Sequence, residues 1–171
     1  PIGRPWTHRV MKLCARLSRV IPSKILCVAE SARQSHIAYG YSAKRMHVIG
    51  NGLDLAAFDQ LSQHHIDLHQ LGGWSKEQVL IGCVGRYHPD KGQDLFIQSA
   101  AKLLLRYPAC RFVMIGRDCD SANQQLKGLI DQSGLAGSVL LLGERADIPA
   151  CLAGFDLFCL PSRTEGFPNV L

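Results

Sequence analysis

Two short stretches concentrate residues whose types and spacing could hold an anion and a sugar. Gly85-Arg86-Tyr87-His88-Pro89-Asp90-Lys91-Gly92 follows an apolar run and sets two cations between glycines. An arginine fork grips a diphosphate through paired N–H donors, and a lysine adds a compact charge beside it. The order is neither G-x-G-x-x-G nor G-x-x-x-x-G-K-[ST], which argues against a common dinucleotide or P-loop site. Read alone, Arg86 and Lys91 also fit ordinary solvated loop charges. The second stretch is Pro161-Ser162-Arg163-Thr164-Glu165-Gly166-Phe167-Pro168-Asn169. Pro168 suits the first turn of a helix, where its missing N–H would be unpaired anyway. A helix starting there would aim free N–H groups and a positive dipole end at an anion. Glu165, just ahead of it, fits either an acceptor for sugar hydroxyls or a capping carboxylate.

Other clusters carry less. His65 and His69 stand at i, i+4 beside His64, a spacing that can hold a metal on a helix, but no carboxylate frame accompanies them and no metal site is assigned. The seven cysteines are odd in number and form no C-x-x-C, so neither a disulfide framework nor a zinc ribbon is indicated. Cys27, Cys83 and Cys159 lie in apolar runs as small hydrophobes, which favours a reducing, cytoplasmic setting. Arg9, Lys12, Arg16 and Arg19 share one helical face, a pattern that also fits peripheral association with an anionic membrane. An ordinary surface helix packed on a further domain is the simpler reading. Aromatics make up 7% and no stacking array joins the basic segment, so nucleic acid is not an expected partner.

Ligands of an open parallel sheet bind past the carboxyl ends of its strands, so the elements around these stretches decide whether they can meet. The chain has 171 residues, 47% hydrophobic and 19% charged, enough for a sizeable core. Residues 1–50 carry nine Lys or Arg against the single acid Glu30, whereas residues 51–171 carry ten bases and thirteen acids. Val10, Leu13, Cys14 and Leu17 recur at helical spacing until Pro22. A strand over 25–28, a helix capped by Ser31 and ending at Gly40, and a strand over 46–49 follow, then the turn Gly50-Asn51-Gly52. Residues 53–78 read as irregular, with short helical patches, and as an interdomain crossing. Strands are predicted at 79–84, 111–115, 139–142 and 155–160, with helices at 94–106, around Leu126–Ile130, and at 148–152. Continuous apolar strands alternating with amphipathic helices predict an α/β fold, a Rossmann-like parallel sheet with helices on both faces.

The ordered set GRYHPDKG, FVMIGRD, LLLGERADIP and DLFCLPSRTEGFPNVL, with ILCVAESARQSHIAYGY and MHVIGNGLDLAAF upstream, resembles the group 1 (family four) retaining glycosyltransferases. The resemblance runs from about residue 24 to the end. It implies a GT-B fold of two facing Rossmann-like domains, with residues 1–52 a remnant of the N-terminal acceptor domain. Residues 53–171 would be an incomplete C-terminal donor-binding domain. Carried over, Arg86 and Lys91 match the donor-phosphate pair and Glu165 the first Glu of an E-x7-E motif that contacts the donor sugar. Gly85, Gly166, Phe167 and Pro168 line the donor, Gly116 forms the Gly turn near it, and Arg145 borders the nucleobase. The second Glu of the motif would fall past the last residue, so the piece is expected to be inactive by itself. Gly50 stands where the family usually has Pro before Asn-Gly. No cofactor is implied. The donor would be a nucleotide-diphosphate sugar, UDP-linked ahead of GDP-linked, and the acceptor a carbohydrate or a lipid-linked one in polysaccharide, lipopolysaccharide or glycolipid assembly. A non-catalytic nucleotide-binding module and a nucleotide-sugar epimerase of the same architecture are the alternatives.

Overall fold

The structure, a computed structural model, describes residues 5–52, 54–63 and 66–165. These fall into two compact units, residues 5–52 with Glu165, and Asp54–Thr164.

The first unit holds α1 (Pro5–Leu17), β1 (Ile25–Cys27), α2 (Glu30–Ala38) and β2 (Met46–Val48), with β1 and β2 parallel. The apolar face of α1 is exposed within this unit, as the surface-helix reading expects. Ala15 is buried, whereas Trp6, Val10, Leu13 and Leu17 are exposed. Ser18 closes the helix, its buried hydroxyl donating to the Ala15 carbonyl at 2.6 Å and accepting from the Ser42 N–H at 3.0 Å. The predicted Ser31 cap is corrected: Ala29 holds that position, because Glu30 already lies in the first turn.

In the second unit the segment read as irregular with short helical patches carries two short helices. It forms α3 (Leu55–Ser62) and α4 (Leu68–Gly72), the latter capped by the Asp67 carboxylate accepting from the Gln70 N–H. Short helices with mixed polarity give little periodic signal, which is why the pattern marked patches there without bounds. β3 (Val79–Val84), α5 (Gln93–Arg106), β4 (Cys110–Ile115), α6 (Gln124–Gln132), β5 (Val139–Leu141), α7 (Ile148–Ala153) and β6 (Leu157–Phe158) follow, close to the predicted bounds except that β6 is shorter. All pairings are parallel, in the order β5-β4-β3-β6.

Strand alternation splits the core between the two faces of this sheet. Ile81, Cys83, Phe112 and Met114 pack with Phe96, Ile97 and Ala100 of α5 and with Leu126 and Ile130 of α6. Val113 and Ile115 point the other way, onto Cys151 of α7 with Ile66, Trp74 and Phe155 around it. Gly82 is needed here, since a Cβ would stand 2.0 Å from the Phe155 ring. No helix among the described residues is long and apolar enough to cross a membrane.

Candidate functional site

The strand order creates one crevice. From β3 the chain crosses through α5 to β4, and from β5 it returns through α7 to β6, on the far side of β3. These crossovers use opposite faces of the sheet, so the strand order reverses at β3 and β6. A reversal of this kind opens the ligand crevice of an α/β sheet. Both sequence stretches singled out for chemistry leave from it, 85–92 after β3 and 161–165 after β6.

Backbone hydrogen bonds continue past the strand ends and zip the loops together. Gly85 N–H donates to the Ile115 carbonyl and Tyr87 N–H to the Arg117 carbonyl, each at 2.8 Å. Gly116 N–H donates to Gly143 and Gly143 N–H to Cys119, again at 2.8 Å. The approach dictates the glycines: at Gly116, with φ of 143°, a Cβ would lie 2.3 Å from the Gly85 carbonyl oxygen. The Cys119 thiol donates to that same oxygen at 3.4 Å, and burial pushes its pKa up to about 11, so it fills space instead of reacting. Burial drives Cys83 to about 12 for the same reason.

Gln93, at the start of α5 and 2% exposed, organises the loop from within. Its Nε2 donates to the carbonyls of Gly85 at 3.2 Å and Arg86 at 2.7 Å, and its Oε1 accepts from the His88 N–H at 3.3 Å. The backbone of Arg86 is therefore pinned while its side chain is exposed. Lys91 ends a 3-10 turn, Pro89–Lys91, and its stem passes 3.8 Å from where a Gly85 Cβ would be. The structure thus places Gly85, Arg86, Lys91 and Gly116 in one loop assembly at the crevice.

Arg163, assigned no role from sequence, joins the β6 loop to this assembly. Its guanidinium donates to both Asp94 carboxylate oxygens at 2.8 and 2.6 Å and to the Pro89 carbonyl at 2.7 Å, while its N–H donates to the Asp90 carbonyl at 2.8 Å. The Arg163 fork holds the Asp94 carboxyl below its ordinary value and is itself held charged. Gly92, at φ of 69°, lets the Pro161 carbonyl sit 2.1 Å from where a Cβ would stand. A cleft of about 360 Å³ lies against this junction, lined by Tyr87, His88, Asp90, Asp94, Gln125 and Arg163 among others.

Arg145 is paired in the same manner, its guanidinium donating to both Asp147 oxygens at 2.8 and 2.6 Å, which lowers the Asp147 pKa and raises that of Arg145. Arg117 and Glu144, at the ends of β4 and β5, form a looser exposed pair at 3.6 Å. Glu165 is exposed and belongs to the first unit. Gly166, Phe167 and Pro168, with the helix expected there, lie outside the described residues, as do His64 and His65. His69 stands in α4 with its Nε2 within 2.9 Å of the Gln78 carbonyl, and the described residues hold no His/Cys/Asp/Glu cluster fit for a metal. Sequence reading missed Gln93, Asp94 and Arg163. A polar residue at a helix start looks solvated until the fold buries it, and the Asp94–Arg163 pair spans 69 positions.

An open parallel sheet whose charged loops converge on a reversal of strand order defines a class of ligand-binding α/β domain, and comparison narrows it. Residues 78–171 match the group 1 glycosyl transferases, and the chain belongs to that family. It is 32% identical over 123 residues, 70% of its own length, to the lipopolysaccharide core biosynthesis mannosyltransferase LpsB of Rhizobium meliloti, covering 35% of that protein. It is 29% identical over 150 residues, 85% of its length, to the UDP-Gal:alpha-D-GlcNAc-diphosphoundecaprenol alpha-1,3-galactosyltransferase of Escherichia coli, covering 38% of it. Among solved structures, Anabaena HepE in complex with UDP and glucose superposes with a TM-score of 0.78 at 26% identity, over 95% of this chain and 44% of HepE. The chain thus spans less than half the length of these relatives. The α/β class and the parallel sheet with helices on both faces stand as predicted.

Proposed function

We propose that the chain carries the donor-binding part of a retaining glycosyltransferase. That enzyme moves a sugar from a UDP-linked donor to a carbohydrate or lipid-linked acceptor in the assembly of a polysaccharide, lipopolysaccharide or glycolipid. The observation that carries the reading is the loop assembly at the strand reversal. Buried Gln93 pins the backbone of Arg86, and Lys91 closes the same loop. The family membership supports it, as do the UDP held by HepE and the UDP-linked donor named for the Escherichia coli relative. In this reading residues 1–52 come from the acceptor domain and residues 53–171 from the donor domain. The whole enzyme acts in the cytoplasm, with the basic face of α1 available to an anionic membrane surface.

The chemistry asks for charge at the leaving group. As the bond from the anomeric carbon to the diphosphate breaks, negative charge grows on the departing oxygen. Arg86 grips the diphosphate in a fork and Lys91 adds a point charge, stabilising that oxygen without reorganising during the reaction. Glu165 accepts from donor-sugar hydroxyls and Arg145, held by Asp147, borders the base. Loss of one such cation raises the barrier by roughly 3 kcal/mol.

The test is calorimetric titration of the chain with UDP, GDP and ADP. UDP binds preferentially, and Arg86→Ala weakens it by roughly the tenfold that one lost charge-assisted contact corresponds to. A folded chain that binds none of the three, or an Arg86→Ala variant that binds UDP as well as the parent, would sink this assignment.

A further inference from the structure

Arg163 makes more contacts to the loop carrying Lys91 than a solvated arginine would need. It reaches that loop at three points: its N–H donates to the Asp90 carbonyl, and its guanidinium to the Pro89 carbonyl and the Asp94 carboxylate. Pro89 and Asp90 are the first two residues of the 3-10 turn that ends in Lys91, and Asp94 lies in the first turn of α5 immediately beyond. Gly92 between them is the point where the Pro161 carbonyl crosses, too close for any side chain. The turn is thus bracketed on both sides by one residue of the β6 loop. The inner contacts of Gln93 serve a different part of the loop, Gly85 to His88. His88 holds the turn from inside, its ring accepting from the Asp90 N–H and its carbonyl from the Lys91 N–H, while Arg163 is what ties the turn to the β6 loop.

We infer that Arg163, through its fork on Asp94 and its contacts to Pro89 and Asp90, is a positioning residue that holds Lys91 in place for the donor diphosphate. The inference rests on the donor reading above. A guanidinium suits the task because its planar donors engage the carboxylate with two parallel bonds and a carbonyl with the same nitrogen. A lysine ammonium has no such fixed geometry. Arg163 touches no reacting atom in this scheme. It keeps the turn that bears Lys91 from sampling other arrangements, so binding the diphosphate need not first order that loop.

The experiment uses the chain with UDP as the probe, together with Arg163→Ala, Asp94→Ala and the double variant, all measured well below their melting temperatures. Each single variant weakens UDP binding about tenfold, the scale of one charge-assisted contact. The double variant is no weaker than either single, because the two side chains act as one unit. Amide exchange at Lys91 speeds up in Arg163→Ala in the absence of nucleotide, a local loosening that ligand binding does not report. An ion pair serving only stability would lower the melting temperature and leave the UDP affinity of the folded protein unchanged, and that result would overturn the inference. So would effects of the two substitutions that simply add. If Arg163→Ala does not fold, Asp94→Ala carries the same comparison with the same criteria. Failure of the parent chain to bind UDP removes the donor reading and this inference with it, and it shows before any substitution is made.

Discussion

At the scale of single residues, the side chain that does most for the loop assembly is an uncharged one. Gln93 sits 2% exposed and satisfies the carbonyls of Gly85 and Arg86 and the N–H of His88. Replacing it by leucine keeps roughly the volume and removes a partner from each of those part-buried backbone groups, leaving the Gly85 carbonyl with the Cys119 thiol. Unsatisfied buried groups cost about 1–3 kcal/mol each, and partial relaxation of the loop brings the expected loss to about 3 kcal/mol in total. Urea unfolding of Gln93→Leu should show a lower midpoint with an unchanged slope, and an unchanged midpoint would mean the loop is held by something else. Gly92→Ala combines a left-handed φ with a carbonyl oxygen 2.1 Å from the new carbon, so it too destabilises. That Arg86 and Lys91 share one strand-to-helix loop was legible because charge between glycines after an apolar run is a local pattern. Gln93 and Arg163 were not legible, because their meaning comes from partners that only the tertiary fold supplies.

At the scale of elements, the strands and helices of the second unit from β3 onward follow closely from periodicity, the shorter β6 apart. Every strand there is apolar but for Arg111 in β4, and each long helix has one buried stripe. α3 and α4 show in the sequence only as patches because they are short, and the exposed apolar face of α1 agrees with a surface helix, since helical spacing reports amphipathicity and not what covers it. Arginine forks recur at two helix starts: Arg163 on Asp94 at α5, and Arg145 on Asp147 at the N-cap of α7. Both carboxyls are held below their ordinary value of 3.8. A depressed folded pKa contributes stability that is present above the unfolded value and is lost as pH falls through the folded one. Stability of the second unit should therefore stay level from neutrality down to about pH 4 and fall below it through these two groups. Both carboxylates are about two-fifths exposed, so solvent screening keeps each contribution to about 1 kcal/mol or less. Urea midpoints at neutral pH and on the acid limb, compared between the parent and Asp94→Asn with Asp147→Asn, measure it. An acid limb of the same steepness in that double variant would assign the loss to other carboxylates.

At the scale of the molecule, the two units differ in what they bury. The second has a parallel sheet with a core on each face, including Phe96, Phe112, Met114, Ile115 and Leu126 at 3% exposure or less. Buried residues of the first come down to Ala15, Ser18, Cys27 and Met46 among those described, against exposed Trp6, Leu13, Val20, Ile21 and Leu26. A segment of about 50 residues with so little burial is marginal alone, because a small domain recovers too small a fraction of its surface to offset chain entropy. A piece comprising residues 54–171 should therefore unfold in one cooperative transition, near the midpoint of the whole chain, and under the donor reading keep the whole chain's affinity for UDP. A piece comprising residues 1–53 should show little helix by circular dichroism and bind a hydrophobic dye, as an apolar surface without a core does. The longer piece is the informative one. If it folds but loses UDP binding, the nucleotide depends on residues of the first unit, Glu165 being the only described residue of that unit it retains. If it fails to fold, the sheet needs the first unit for its stability, and the division between the units is one of shape and not of folding.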